Sequence, residues 1–268
     1  MIPRVKPPFI CIFCGGSGPF NSVEHVVPAS LGNDIVALGR GWVCDKCNHF
    51  ISKFEREVLW NSIIGVERCR MGVITKKKRP AKAVTHGITW FAVPEKGRGV
   101  VAAEANDWSK NPVLWKRGFV EGKIVMPLHD ENCYYIAKFL LKIGVEVAEV
   151  GRRASHAELQ GDFSDASKYV RGKDVSSWPY FVLRSGNVEQ HLTSVFSELA
   201  EVYDYVRTCG FDIFLHKIED DVVLFFRYGS FWAGLALNTR EIGWTAVLRK
   251  WKVAYVGCPV EYAEDYMG

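Results

Sequence analysis

The chain has 268 residues, 48% hydrophobic and 24% charged, close to the globular average; this excludes whole-chain disorder and sets the expectation of one large or two small domains. No apolar run approaches the roughly 18 residues of a membrane span, and Met1-Ile2-Pro3-Arg4-Val5-Lys6 lacks the apolar core of a secretory signal, so a cytoplasmic protein without a membrane partner is expected. The net charge of +4 is uneven: residues 1–82 hold 13 Lys+Arg against 6 Asp+Glu, a net +7, which leaves −3 for the rest and suits a polyanionic partner in the first third.

In chain order, Pro3, Pro7 and Pro8 predict an extended lead-in. Two Cys-x-x-Cys knuckles follow, Cys11–Cys14 and Cys44–Cys47. Two residues between thiolates let both sulfurs of one turn reach one ion, and two such turns complete a tetrahedral S₄ zinc site. Such a site is structural, because four thiolates leave no open coordination position. Cys69, Cys133, Cys209 and Cys258 are scattered and read as small core residues, with a surface position as the alternative for Cys69. Residues 41–43 predict a strand leading into the second knuckle. Cys47 then opens a helix whose apolar face carries Ile51, Phe54 and Val58. Trp42 and Trp60 are expected to pack in the core or between domains. The basic run Lys76-Lys77-Lys78-Arg79-Pro80-Ala81-Lys82 reads as a linker, or as an arm contacting phosphates.

Strands are expected at 87–93, 99–103 and 123–126, rich in β-branched and aromatic residues. A helix is expected over 132–149 from Ile136, Phe139, Leu140, Ile143 and Val147. A short strand at 180–183 precedes a second long helix over 188–207, with Gly210 as its stop. Strands at 211–216, 222–226, 231–237 and 253–256 complete an α+β pattern with a mainly antiparallel sheet and two long helices. The division expected is 1–75, a linker at 76–86, and an α+β domain at 87–268 serving targeting, a small effector or a protein partner. His86, His129, His156, His191 and His216 are dispersed and read as structural or surface residues.

The chemistry concentrates between the knuckles. Glu24-His25-Val26-Val27-Pro28 lies in the 29-residue loop at 15–43, and Asn48 directly follows the last knuckle cysteine. If the chain at Glu24-His25 packs on the first turn of the following helix, Glu24, His25 and Asn48 converge. Carboxylate and amide oxygens are hard ligands that suit Mg²⁺ or Mn²⁺, and an imidazole outside the coordination sphere can deprotonate a water. That is a hydrolytic phosphodiesterase site. The bland alternatives are a packed histidine, a surface carboxylate and a capping amide.

This segment resembles the HNH endonucleases, the ββα-metal fold, in the subtype braced by a Cys₄ zinc. It is similar in layout to the phage recombination endonuclease VII group, and in wording to bacterial HNH proteins with Glu-His-[Ile/Val]-[Ile/Val]-Pro and Cys-x-x-Cys-Asn. The resemblance covers about residues 9–60. It implies His25 as general base, Glu24 and Asn48 as ligands of the catalytic divalent ion, Asn33 as a loop-positioning residue, and zinc on Cys11, Cys14, Cys44 and Cys47. Most members carry Asp where Glu24 stands and many carry His where Asn48 stands; His49, one residue on, points elsewhere on the helix. Arg40, Lys46, Lys53 and Arg56 are candidate phosphate contacts. The activity implied is metal-dependent hydrolysis of DNA, in restriction or anti-phage defence. The alternatives are a non-catalytic nucleic-acid-binding module and an RNA-directed nuclease.

Overall fold

A computed structural model describes residues 5–33, 36–96, 101–105, 133–154, 161–172, 178–183, 203–207 and 210–245. Strand β1 (Glu24–His25) pairs antiparallel with β2 (Ala37–Leu38), Glu24 opposite Leu38 and His25 opposite Ala37. Helix α1 (Asp45–Asn61) follows at once, burying Cys47, Ile51, Phe54, Val58 and Leu59 along one stripe. The helix starts two residues before the expected Cys47. Residues 41–43 form a turn, and the second strand lies earlier, at 37–38. Gly41 has φ +98°, a left-handed conformation that ends a strand there.

Ser62 separates α1 from helix α2 (Ile63–Arg70): its hydroxyl donates to Val58 O (2.6 Å) and accepts from Ile64 N (3.1 Å). That is an N-cap on the second helix. The basic run at 76–79 forms a closed turn, with Thr75 N donating to Arg79 O (2.8 Å) and Ile74 bridged to Pro80. Its end joins an antiparallel sheet of β3 (Lys82–Thr85), β4 (Ile88–Ala92) and β5 (Val101–Ala105), which packs on α2. Strand β3 was not anticipated: Lys82-Ala83-Val84-Thr85 is short and follows a basic run, so pairing rather than composition defines it.

Helix α3 (Cys133–Arg153) extends the expected 132–149 segment and is buried nearly all round. Beside it lies α4 (Ser164–Arg171), a two-turn helix not expected from the sequence. The second sheet, in spatial order β6-β10-β9-β8-β7, comprises β6 (Phe181–Leu183), β7 (Tyr203–Arg207), β8 (Phe211–Ile218), β9 (Asp221–Tyr228) and β10 (Phe231–Ala236), all antiparallel. Phe139 of α3 meets Phe226 of β9 edge-on, centroids 5.8 Å apart. On its other side α3 meets α1, so it is the middle layer between sheet and knuckle segment.

The helix expected over 188–207 does not hold at its C-terminal end, where Tyr203–Arg207 is an edge strand on β8. Tyr203, Val206 and Tyr205 satisfy either period over so short a run, and strand pairing decides. Residues 188–202, and the strands expected at 123–126 and 253–256, lie outside the described residues. Cys69 is fully buried on Trp90 O (3.6 Å), the core placement rather than the surface alternative. Cys133 is disulfide-bonded rather than a plain core thiol. Trp42 is buried as expected, whereas Trp60 is 45% exposed and packs into no core. His86 is exposed in a turn and His216 is buried; His129, His156 and His191 lie outside the described residues.

One apolar cluster runs through both halves, joining Val26, Val27, Trp42 and Ile51 to Phe139, Leu140, Ile143 and Phe226. Polar ties reinforce it: Tyr228 Oη donates to Leu31 O (3.0 Å), and Ser230 Oγ donates to Glu67 (3.0 Å). Among the described residues no helix is long and apolar enough to cross a membrane.

Candidate metal centre and the histidine strand

The two knuckles meet. One ligand atom from each of Cys11, Cys14, Cys44 and Cys47 lies within 4.8 Å of the other three, a cluster able to hold a metal ion. Cys14 Sγ and Cys44 Sγ are 3.7 Å apart, close to the edge of about 3.8 Å that a tetrahedron with Zn–S bonds of about 2.3 Å requires. The donor set therefore fits structural zinc in type, number and spacing. The first knuckle closes through Gly15 N to Cys11 O and Cys11 N to Gly16 O, both 2.8 Å. Gly15 sits at φ +68°, which a side chain would strain. The hydrogen bond between Cys11 and Cys47 pulls the Cys11 pKa down to about 4, against burial, and pushes that of Cys47 up. The second knuckle is the start of α1, with Cys44 at the N-cap and Cys47 in the first turn. The Asp45 carboxylate ties the intervening loop to this turn, accepting from Asn21 N, Ser22 N and Ser22 Oγ, each at 2.9 Å.

The loop between β1 and β2 is held by Asn33, whose side chain is buried. Its Oδ1 accepts from Val36 N (2.8 Å), and its Nδ2 donates to Val36 O (2.9 Å) and to Val27 O. The amide thus braces the return from β1 toward β2 by three bonds.

Neighbouring strand residues point to opposite faces, and Glu24 and His25 do so. Glu24 points inward and is buried. Its Oε1 lies 2.7 Å from Lys142 Nζ of α3, 118 positions along the chain. The same ammonium meets Glu55 Oε1 (3.1 Å) of α1 and Glu146 Oε2 (3.3 Å), and donates to Val26 O (3.1 Å) and His25 O. Lys142 and Glu146 are wholly buried. Three carboxylates around one ammonium leave excess negative charge in a dry site. Burial pushes Glu146 well above the ordinary carboxyl range, against the pull of Lys142. Burial raises Glu55 too, with Lys142 opposing and Glu24 adding to the rise. For Lys142, burial opposes the charge, and Glu146, Glu24 and Glu55 outweigh it. The arrangement favours a charged lysine and makes Glu146 the carboxyl most inclined to hold a proton.

His25 is half-buried, and its Nδ1 is buried without a hydrogen-bond partner among the described residues. Its pKa lies below the ordinary imidazole value: burial is the main cause, the charges of Lys142 and Lys76 act the same way, and Glu55 acts against them. The turn at 76–79 therefore brings positive charge within reach of the imidazole. Asn48 is half-buried in the first turn of α1, its backbone N–H donating to Cys44 O (2.9 Å). It does not cap the helix; Cys44 holds that position. The structure joins Glu24, Glu55, Glu146 and Lys142 in contact, with His25 beside them. No hydrogen bond or ion pair links Asn48 to Glu24 or His25. Arg40, Lys46, Lys53 and Arg56 are exposed, with no ion pair among the described residues, and so is His49.

Lys142, Glu146 and Glu55 were missed in the sequence. At i and i+4 on a long helix, Lys142 and Glu146 read as a solvated stripe, and only the packing of α1 and β1 on α3 buries them. No protein-family model, curated protein or solved structure matches this chain.

Proposed function

We propose that the chain is a metal-dependent endonuclease of the HNH type, in which His25 takes a proton from the water that attacks a phosphodiester. The observation that carries this reading is the order of parts: a four-cysteine cluster clamps a two-strand hairpin bearing His25 to a helix bearing Asn48, four residues after its N-cap. A half-buried, partly desolvated imidazole held neutral at physiological pH is the form a general base needs. Asn48 would supply an oxygen donor for Mg²⁺ or Mn²⁺, and Glu24 would do so by exchanging its contact with Lys142 for the ion; when bound, such an ion would neutralise charge on the phosphorus and on the leaving oxygen. The unpaired cations Arg40, Lys46 and Lys53, with Lys76 beside His25, meet the backbone phosphates. DNA is the substrate favoured by the resemblance, in restriction or defence against phage, with zinc purely structural. Residues from 87 onward serve targeting, through an effector or a partner.

One observation favours a second reading. Glu24 already carries Lys142 at 2.7 Å, which would satisfy a strand that binds nucleic acid without cutting it. Incubating supercoiled plasmid with the purified protein and Mg²⁺ or Mn²⁺ separates the two. Nicking by the parent, lost in His25→Ala with an unchanged melting temperature, supports the nuclease. Salt-sensitive DNA binding with no product in either metal supports the binding module, and cleavage of RNA alone moves the substrate. Cleavage that survives His25→Ala would sink the assignment of the base.

A further inference from the structure

A cleft beside α1 and α2 lies apart from the cysteine cluster. It encloses about 350 Å³, and its walls include Ser30, Glu55, Arg56, Trp60 and Arg68. That volume is in the range of pockets that take a single small ligand, roughly 300–1,000 Å³.

Arg68 is the unusual member. Its side chain is only 8% exposed, and it forms no ion pair among the described residues. Among the described residues its one hydrogen bond is a long one, from Nη1 to Leu59 O at 3.4 Å, and its Nε is buried with no partner. A buried cation is normally paired. Lys142, wholly buried, obeys that rule with three carboxylates, Glu24, Glu55 and Glu146. Glu55 on the cleft wall does not balance Arg68, because its carboxylate is bound by Lys142. The pull of burial on Arg68 is against its charge, and an arriving anion would reverse it. Arg56 is exposed at the same cleft and likewise unpaired. Trp60, one turn further along α1, offers a 45% exposed indole at the same cleft.

We propose that this cleft is a nucleotide-phosphate subsite, in which Arg68 and Arg56 take the phosphate oxygens and Trp60 stacks the attached base. A guanidinium fork matches phosphate oxygens in pairs, and an exposed indole accepts any base face. Phosphate is chosen over other anions on the nucleic-acid reading above; the subsite does not depend on hydrolysis by His25.

The test is direct binding to the full-length protein without added divalent metal. The probes are thymidine 5′-monophosphate, a six-nucleotide thymidine oligonucleotide and inorganic phosphate. Arg68→Met should weaken both nucleotide probes at least tenfold. Its melting temperature should hold, since an apolar chain of similar length replaces an unpaired buried charge. Trp60→Ala, at an exposed position, should weaken them about tenfold and leave inorganic phosphate unchanged. Weakening confined to the oligonucleotide identifies a strand as the ligand; weakening confined to the monophosphate identifies a free nucleotide; both support the subsite. Parent protein that binds neither probe overturns it, as do Arg68→Met and Trp60→Ala proteins that bind within twofold of the parent. Plasmid nicking alongside such a negative result would reject the subsite and spare the nuclease reading.

Discussion

Lys142 has three N–H bonds and faces five oxygens, two of them the carbonyls of His25 and Val26. Removing it leaves Glu24 and Glu55 buried without their cation. Breaking such a buried set by deleting one partner costs about 3–5 kcal/mol, so Lys142→Met should lower the urea midpoint by a corresponding amount with little change in slope. Glu146 works in the opposite sense. Its folded pKa lies above the unfolded value, so the folded protein binds more protons. Its contribution is therefore present at acid pH and is lost as pH rises above the ordinary carboxyl range toward the folded value. Glu146→Gln should flatten that decline in urea titrations run across the pH range; an unchanged slope would show that Glu146 is ionised in the fold. For His25 the depressed pKa keeps the imidazole neutral to lower pH than usual. The acid limb of kcat/KM for plasmid nicking should then fall below pH 6.5, the ordinary imidazole value.

The knuckle segment shows how an element is defined by its clamp. Two two-residue strands and a loop cannot supply a core on their own, and metal binding is then coupled to folding. Cys14→Ser should lower bound zinc, measured by elemental analysis, and lower the melting temperature together. Helix packing gives a sharper test at Gly65. A Cβ there would come within 2.5 Å of Leu59 O and 3.1 Å of Ala83 Cβ, across the α1–α2 junction and against β3. The carbonyl cannot swing away as a side chain can, so Gly65→Ala should destabilise by about 1–3 kcal/mol in denaturant titration. Element types were legible where periodicity was long or chemistry strong. The helix at 133–153 and the paired strands from 211 to 236 fall where the sequence put them. Residues 203–207 did not, because a five-residue segment carries too little phase information and the edge of β8 was open to pair.

The two halves are bound to each other by charge, hydrogen bonds and apolar surface. The hairpin of β1 and β2, with α1, lies against α3, and Leu31 and Glu67 are held by Tyr228 and Ser230. A fragment of residues 1–86 would expose Val26, Val27 and Ile51 and strip Glu24 of Lys142. It should therefore show lower helicity by circular dichroism than the same segment in the full chain, and aggregate, even with zinc present. A well-folded fragment that cleaves DNA would show instead that the second half is dispensable to the site.

The sequence by itself determined the four-cysteine cluster able to hold a metal ion and the α+β class. Each rests on local spacing: two residues between thiolates, and side-chain periods of 2 and 3.6 along single elements. Asn33, singled out by resemblance, makes three hydrogen bonds across its loop. Only the tertiary structure decided the surroundings of Glu24, the burial of Lys142 and Glu146, and the burial of Arg68 with no ion pair among the described residues. Those depend on which helix face meets which neighbour more than a hundred residues away, and a polar residue on a helix has the same local spacing whether it ends in water or in the core.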